Sequence, residues 1–140
     1  MSFEDCLRQG LIKKDAASHG KTAGSLAVAE TFLKQAKGNL GMKYYIAAEL
    51  LAYNSSFHSG RALLFSKGYR EKSHACLIVA LKSLFREDPG LSEMLRVFDQ
   101  LRLSRHNVQY GGLHVDKAMA EAAVDFASRF LSAARKTVEK

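Results

Sequence analysis

The stretch AYNSSFHSGRALLFSKG, residues 52–68, decides the fold of this chain. Its apolar residues are distributed around a helix rather than along one side, which is typical of the central helix of a bundle. The same stretch spaces Asn54, His58 and Arg61 by three and four residues, so these polar side chains share one sector. We therefore predict a binding site beside this helix. The alternative is that His58 and Arg61 hydrogen-bond to neighbouring helices or reach solvent.

Helical patterns continue on both sides of this stretch, and the single proline, Pro89, and a few glycines are the main interruptions. We predict an all-α, up-and-down bundle of about five to six helices in one domain over residues 1–140. No strand is predicted, and a turn is expected at 38–41. The predicted helices span 3–9, 22–38, 43–67, 73–85, 91–110 and 116–138, with Ser73 and Asp116 as N-caps.

The stretch QLRLSRHNVQYGG, residues 100–112, places a cation inside an apolar stripe. Arg105 lies near the centre of that stripe. An unpaired buried guanidinium is costly, so Arg105 should meet a carboxylate, carbonyl oxygens, a partner chain or a bound phosphate. Arg102, His106 and Tyr110 follow one edge of the stripe, and such a cluster could act on phosphodiesters. An internal ion-pair network of the arginines with Glu49 or Asp99 is the alternative.

Composition narrows the class of protein. A formal net charge of +7 favours polyanionic or acidic partners. The two cysteines, Cys6 and Cys76, are expected to stay unpaired in a reducing cytoplasm. Without a stretch of about 20 apolar residues, no membrane span is predicted. His19, His74 and His114 have no ligand spacing, so neither a metal site nor a cofactor is predicted.

Residues 52–65 (AYNSSFHSGRALLF) and 67–74 (KGYREKSH) resemble the HEPN domains, in particular their prokaryotic branch of small stand-alone proteins. Residues 10–12 and 29–33 fit the same family. The resemblance implies a helical bundle that usually forms a homodimer with a shared cleft. Many members are metal-independent RNases, often toxins encoded beside a small nucleotidyltransferase antitoxin. Small residues in 47–60 also favour close helix approach, within the bundle or across a homodimer.

The family's motif is an arginine with a histidine four to six residues after it. Here Tyr110 stands four intervening residues after Arg105, and His106 follows Arg105 directly. Two functions remain open. In one, a dimer cleaves RNA: Arg102 and Arg105 bind phosphate, His106 moves protons, Tyr110 orients the scissile group, and the sector of Asn54, His58 and Arg61 forms the wall. In the other, the degenerate motif binds RNA, a nucleotide or a nucleotidyltransferase without catalysis. If a small nucleotidyltransferase gene lies beside this one, the resemblance implies a toxin–antitoxin pair with Tyr110 as a target for modification.

Overall fold

The computed structural model describes residues 1–111 and 114–139, and it describes the side chains of these residues except 108–110. Within this part the chain forms six α-helices, one 3₁₀ helix and two short strands. In chain order they are α1 (Phe3–Arg8), β1 (Ile12–Lys14), the 3₁₀ helix (Ala16–Lys21), α2 (Thr22–Gly41), α3 (Tyr45–Ser66), β2 (Tyr69–Glu71), α4 (His74–Leu84), α5 (Pro89–Gly111) and α6 (Lys117–Val138). The predicted all-α bundle is confirmed.

Side-chain caps explain where several helices begin. Ser73 Oγ accepts a hydrogen bond from the Cys76 N–H at 3.2 Å, and Asp116 Oδ1 accepts one from the Met119 N–H at 2.9 Å. Both predicted N-caps are therefore confirmed. Helix α5 begins at Pro89, two residues before the predicted start, because a proline is well tolerated in the first turn. Asp88 Oδ1 accepts a hydrogen bond from the Leu91 N–H at 3.0 Å and caps this turn.

The predicted turn at 38–41 is wrong, because α2 continues to Gly41. The amide of Met42 still donates to the Gly38 carbonyl at 3.2 Å, which completes the last helical turn. The chain reverses instead at Lys43, whose φ of 66° lies in the left-handed region. Glycines at 38 and 41 therefore did not stop the helix. Glycine lowers helix propensity by about 1 kcal/mol, and packing of the neighbouring residues overrides that preference.

Two strands escaped the sequence reasoning. Strands β1 and β2 pair antiparallel, with Ile12 opposite Glu71, Lys13 opposite Arg70 and Lys14 opposite Tyr69. Three residues are too few to display the alternation that identifies a strand. The resulting ribbon joins the N-terminal segment to the connection between α3 and α4.

Helix α3 is the centre of the bundle, and it packs most extensively against α2 and α6. Its small residues are used inside the protomer. Ser55 Oγ donates to the Ala29 carbonyl of α2 at 2.8 Å, and a Cβ on Gly60 would lie 3.3 Å from the Phe98 ring of α5. The small-residue face is therefore covered by this chain's own helices and does not provide a surface for a second copy.

The two cysteines were predicted to stay unpaired, and that prediction is wrong in this structure. Cys6 of α1 and Cys76 of α4 form a disulfide, with their Cα atoms 5.9 Å apart. They are separated by 70 positions in sequence, so no spacing signal reveals them. The bridge lies in the buried core and fixes α1 against the first turn of α4.

Within the described residues, no helix has both the length and the hydrophobicity needed to cross a membrane.

Candidate functional site

One stripe of α3 carries a carboxylate and two aromatic rings. Glu49, Tyr53 and Phe57 recur every four residues, so they share a helix face. Glu49 and Tyr53 are buried, at 2% exposure each, and Phe57 is half-buried. A buried carboxylate with no charge-neutralising partner is expensive, so this face needs a cation opposite it.

Arg105 of α5 is that cation. Its guanidinium carbon lies 4.9 Å from the centroid of the Tyr53 ring, a cation–π distance. Burial raises the pKa of Glu49, and the positive charge of Arg105 opposes that rise. Yet Arg105 Nε and Glu49 Oε2 are both buried without a hydrogen-bond partner among the described residues. The charge of Arg105 thus attracts the Glu49 carboxylate without a direct hydrogen bond from Nε to Oε2.

His74, the first residue of α4, completes this cluster. Its Nδ1 lies 3.2 Å from the Tyr53 hydroxyl oxygen, and its ring stacks on Phe57 with centroids 4.0 Å apart. Burial lowers the pKa of His74, and the charges of Arg105 and Arg102 lower it further. The imidazole is accordingly neutral at pH 7 and able to accept a proton.

Arg102 borders the cluster on the same helix. Its Nε donates to Asp99 Oδ1 at 3.0 Å, and Lys82 Nζ of α4 lies 3.7 Å from the other oxygen of Asp99. The internal network considered for Arg102 and Asp99 is therefore present. It does not extend to Arg105, because no carboxylate among the described residues forms a salt bridge with that guanidinium.

A second group of side chains lies on the other side of Phe57. His58 stacks on Phe32 with centroids 5.6 Å apart and meets Phe57 edge-on at 5.4 Å. Burial lowers the pKa of His58, and Arg61 and His74 add to this effect. Arg61 Nε donates to Glu71 Oε1 at 2.7 Å, so its charge has an internal partner. His58 and Arg61 border an opening of about 380 Å³ between α2 and α3.

The remaining predicted site residues are Asn54, His106 and Tyr110. Asn54 is half-buried on α3, and His106 is exposed on α5. The side chain of Tyr110 lies outside the described residues. The structure thus brings Arg105 onto the α3 stripe with Arg102 beside it, while His58 and Arg61 sit beyond Phe57.

Sequence reasoning missed His74 and Tyr53 as site residues. In the sequence Tyr53 is indistinguishable from the other apolar residues of a central helix, and His74 has no ligand spacing. A usable signal was present, because Glu49 and Tyr53 share a face of a helix predicted to be the centre of the bundle.

Within residues 1–111 and 114–139, no group of three or more His, Cys, Asp or Glu side chains is arranged to hold a metal ion.

The model of the HEPN domain matches residues 24–137, which cover nearly all of α2–α6 and every site residue named above. The chain belongs to the HEPN family. This result confirms the resemblance inferred from residues 52–74. No curated protein matches the chain. The match begins after α1 and β1, so the N-terminal strand of the ribbon lies outside the part that the HEPN domain model covers.

Proposed function

We propose that this HEPN domain binds RNA beside α5 and cleaves its phosphodiester bonds without a metal ion. The observation that carries the proposal is Arg105, a half-buried cation over Tyr53 whose Nε has no acceptor among the described residues. A buried unsatisfied donor in a native fold needs an explanation, and an absent anionic ligand supplies one. Arginine is well suited to phosphate because its planar fork matches phosphate oxygens.

The arrangement suggests how cleavage would proceed. Neutral His74 accepts the proton of a ribose 2′-hydroxyl, and the 2′-oxygen attacks the adjacent phosphorus. The bond from phosphorus to the 5′-oxygen then breaks, leaving a 2′,3′-cyclic phosphate and a 5′-hydroxyl. Arg105 and Arg102 stabilise the negative charge that develops on the phosphoryl oxygens. His106 supplies the proton to the departing 5′-oxygen, and Tyr110 orients the scissile group.

We further propose that the active form is a homodimer with a shared cleft. HEPN domains commonly dimerise. The small residues of α3 are used within the protomer, so the contact would involve another surface. Leu103, between Arg102 and Arg105 in sequence, is 51% exposed on α5 and supports a contact made by that helix. The wall residues Asn54 and His58 would face the same bound strand.

A second candidate function is favoured by the motif. Tyr110 stands where the family's catalytic histidine is expected, and an ordinary tyrosine is a poor base near neutral pH. In this reading the domain binds RNA or a nucleotide without turnover, or pairs with a small nucleotidyltransferase in a toxin–antitoxin system, with Tyr110 as the modified residue. In either reading we place the protein in the cytoplasm, where reducing thiols would open the Cys6–Cys76 disulfide of this structure.

The test is cleavage of labelled RNA by purified protein in the presence of a chelator. Arg105→Ala, His74→Gln and His106→Ala are compared with Arg96→Ala, which removes an exposed arginine from the same helix. We expect a 2′,3′-cyclic product from the parent and from Arg96→Ala, and a loss of at least tenfold in the three site variants. RNA binding that depends on Arg105 without any cleavage would instead establish the second candidate.

A further inference from the structure

The β1–β2 ribbon concentrates positive charge on one face. Residues directly opposite in an antiparallel pair point to the same side, so Lys13 and Arg70 share a face. Lys72 follows the last residue of β2. Its amide donates to the Leu11 carbonyl at 2.9 Å and its side chain contacts Lys13, which places it beside that face. The opposite face carries Ile12, which is buried, and Glu71, together with Lys14 and Tyr69. The outward face of the ribbon therefore consists of Lys13, Arg70 and Lys72.

This face is only partly neutralised within the described chain. The carboxylate of Asp15 lies 3.6 Å from Arg70 Nε and 3.8 Å from Lys21 Nζ, so one negative charge is shared between two cations. Glu71 points away and is held by Arg61. Contact with Lys72, together with the charges of Lys72 and Arg70, lowers the pKa of Lys13. Like charges directly opposite in a ladder are destabilising. The arrangement therefore gains stability when an anion binds it.

The chemistry of the face favours a polyanionic backbone over a protein surface. Protein interfaces have an apolar centre and are depleted in lysine. The exposed large hydrophobic side chains of the described chain are Met1, Val28, Met42, Tyr44, Ile46 and Leu103, and none belongs to the ribbon. A row of cations without apolar neighbours suits the phosphates of a nucleic acid strand, whose binding releases condensed counterions.

The ribbon is continuous with the site on α3 and α4. Glu71 of β2 holds Arg61 at 2.7 Å, and the Arg61 guanidinium lies 5.9 Å from the Phe57 ring on which His74 stacks. His74 itself follows β2 by only three residues. These contacts run through Glu71, on the face opposite Lys13 and Arg70, so they place the ribbon next to the residues around His74 without joining its outward cations to them.

We propose that Lys13, Arg70 and Lys72 bind the sugar–phosphate backbone of the RNA strand that enters the cluster of Arg105 and His74. This inference rests on the proposed function for the identity of the strand. The binding surface itself belongs to the ribbon, half of which lies outside the region matched by the HEPN domain model. The ribbon thus provides a second binding surface, for the RNA that flanks the cleavage site.

The test is the salt dependence of binding to a labelled 20-nucleotide single-stranded RNA, measured by fluorescence anisotropy. The variant Lys13→Gln/Lys72→Gln is compared with Lys34→Gln/Lys37→Gln, which removes the same charge from exposed positions on α2. For a single strand, each lost phosphate contact makes the negative slope of log K against log salt shallower by about 0.7. The ribbon variant removes two cations, so we expect its slope to be shallower by about 1.4. The α2 variant should keep the parental slope.

The outcomes separate this inference from the proposed function. If the two double variants have equal slopes and Arg105→Ala is weakened in binding or cleavage, RNA binding by the ribbon is overturned and the proposed function at Arg105 is kept. If the ribbon variant has a reduced slope and Arg105→Ala still cleaves at the parental rate, RNA binding by the ribbon is supported and the proposed function at Arg105 is overturned. Binding of poly-glutamate as tight as that of RNA would overturn the ribbon's preference for nucleic acid. Circular dichroism of each variant confirms that the fold is retained.

Discussion

The guanidinium of Arg105 lies 4.9 Å from the centroid of the Tyr53 ring, so the half-buried charge of α5 contacts an aromatic face instead of a carboxylate. The hydroxyl of the same tyrosine is 3.2 Å from the imidazole of His74. Tyr53 therefore connects a cation on α5 to a titratable group on α4, and perturbing one should be measurable at the other.

The first prediction concerns this connection. Replacing Arg105 by methionine keeps a long side chain over Tyr53 and removes the charge that lowers the pKa of His74. We expect the His74 pKa to rise toward the ordinary value of 6.5 in the variant. NMR titration of the imidazole resonances measures the change. Arg96→Met, on an exposed turn of the same helix, serves as the control. An unchanged His74 titration in Arg105→Met would show that the two groups are not coupled.

The second prediction concerns Glu49. Because burial raises its pKa, the folded protein holds this proton more tightly than the unfolded chain does. That contribution to stability is present below the ordinary value of 4.5 and is lost as the pH rises through the folded pKa. Glu49→Gln should therefore unfold at a higher temperature than the parent at pH 8, with the difference shrinking toward pH 4.5.

Thermal unfolding at several pH values tests the Glu49 prediction. Glu93→Gln is the matched control, because hydrogen bonding to Arg96 lowers the pKa of that exposed carboxyl. The control should show no gain at high pH. A Glu49→Gln variant less stable than the parent at pH 8 would mean that the attraction to Arg105 outweighs the burial of the carboxylate.

The third prediction concerns packing at Gly60. A Cβ at this buried position would meet Phe98 at 3.3 Å and Leu81 at 3.4 Å. Overpacking of a core costs about 1–3 kcal/mol, against a helix-propensity gain of about 1 kcal/mol for alanine. We expect Gly60→Ala to be destabilised by about 1 kcal/mol in urea unfolding. Gly38→Ala, in α2 with no atom within 4 Å of the new Cβ, should be stabilised instead. Equal effects in the two variants would contradict the close contact.

The fourth prediction concerns the Cys6–Cys76 bridge. A cross-link across 70 positions removes freedom from the unfolded chain, and disulfides of this kind typically contribute about 2–4 kcal/mol. Oxidised protein should therefore unfold at a higher temperature than protein treated with a thiol reductant. The variant Cys6→Ala/Cys76→Ala should lose this sensitivity to reductant. An identical melting temperature for oxidised and reduced parent would show that the bridge adds no stability.

The sequence predicted the features that depend on local rules. Residue type and helical spacing predict the Ser73 and Asp116 caps and the central position of α3. They also predict that Arg105 lies within an apolar stripe of its helix. Membership of the HEPN family followed from residues 52–74. These are short-range patterns, and the structure retains them.

The features that escaped prediction depend on distant parts of the chain. His74 joins the cluster because Phe57 and Tyr53 of α3 contact its ring. The ribbon forms because residues 12–14 pair with residues 69–71. Cys6 and Cys76 are brought together by the same packing of α1 against α4. No local pattern contains these contacts, since each requires knowing which elements become neighbours.

The hydroxyl bonds between α2 and α3 have a mechanical consequence. Ser25 Oγ of α2 donates to the His58 carbonyl, and Ser55 Oγ of α3 donates to the Ala29 carbonyl. With each helix anchored to the other's backbone at a separate level, neither can slide or rotate without breaking a bond. Helix α3 is thus fixed against α2. Any widening of the space around Tyr53 must come from displacement of α4 or α5, which contact its side chain through His74, Phe98 and Arg105.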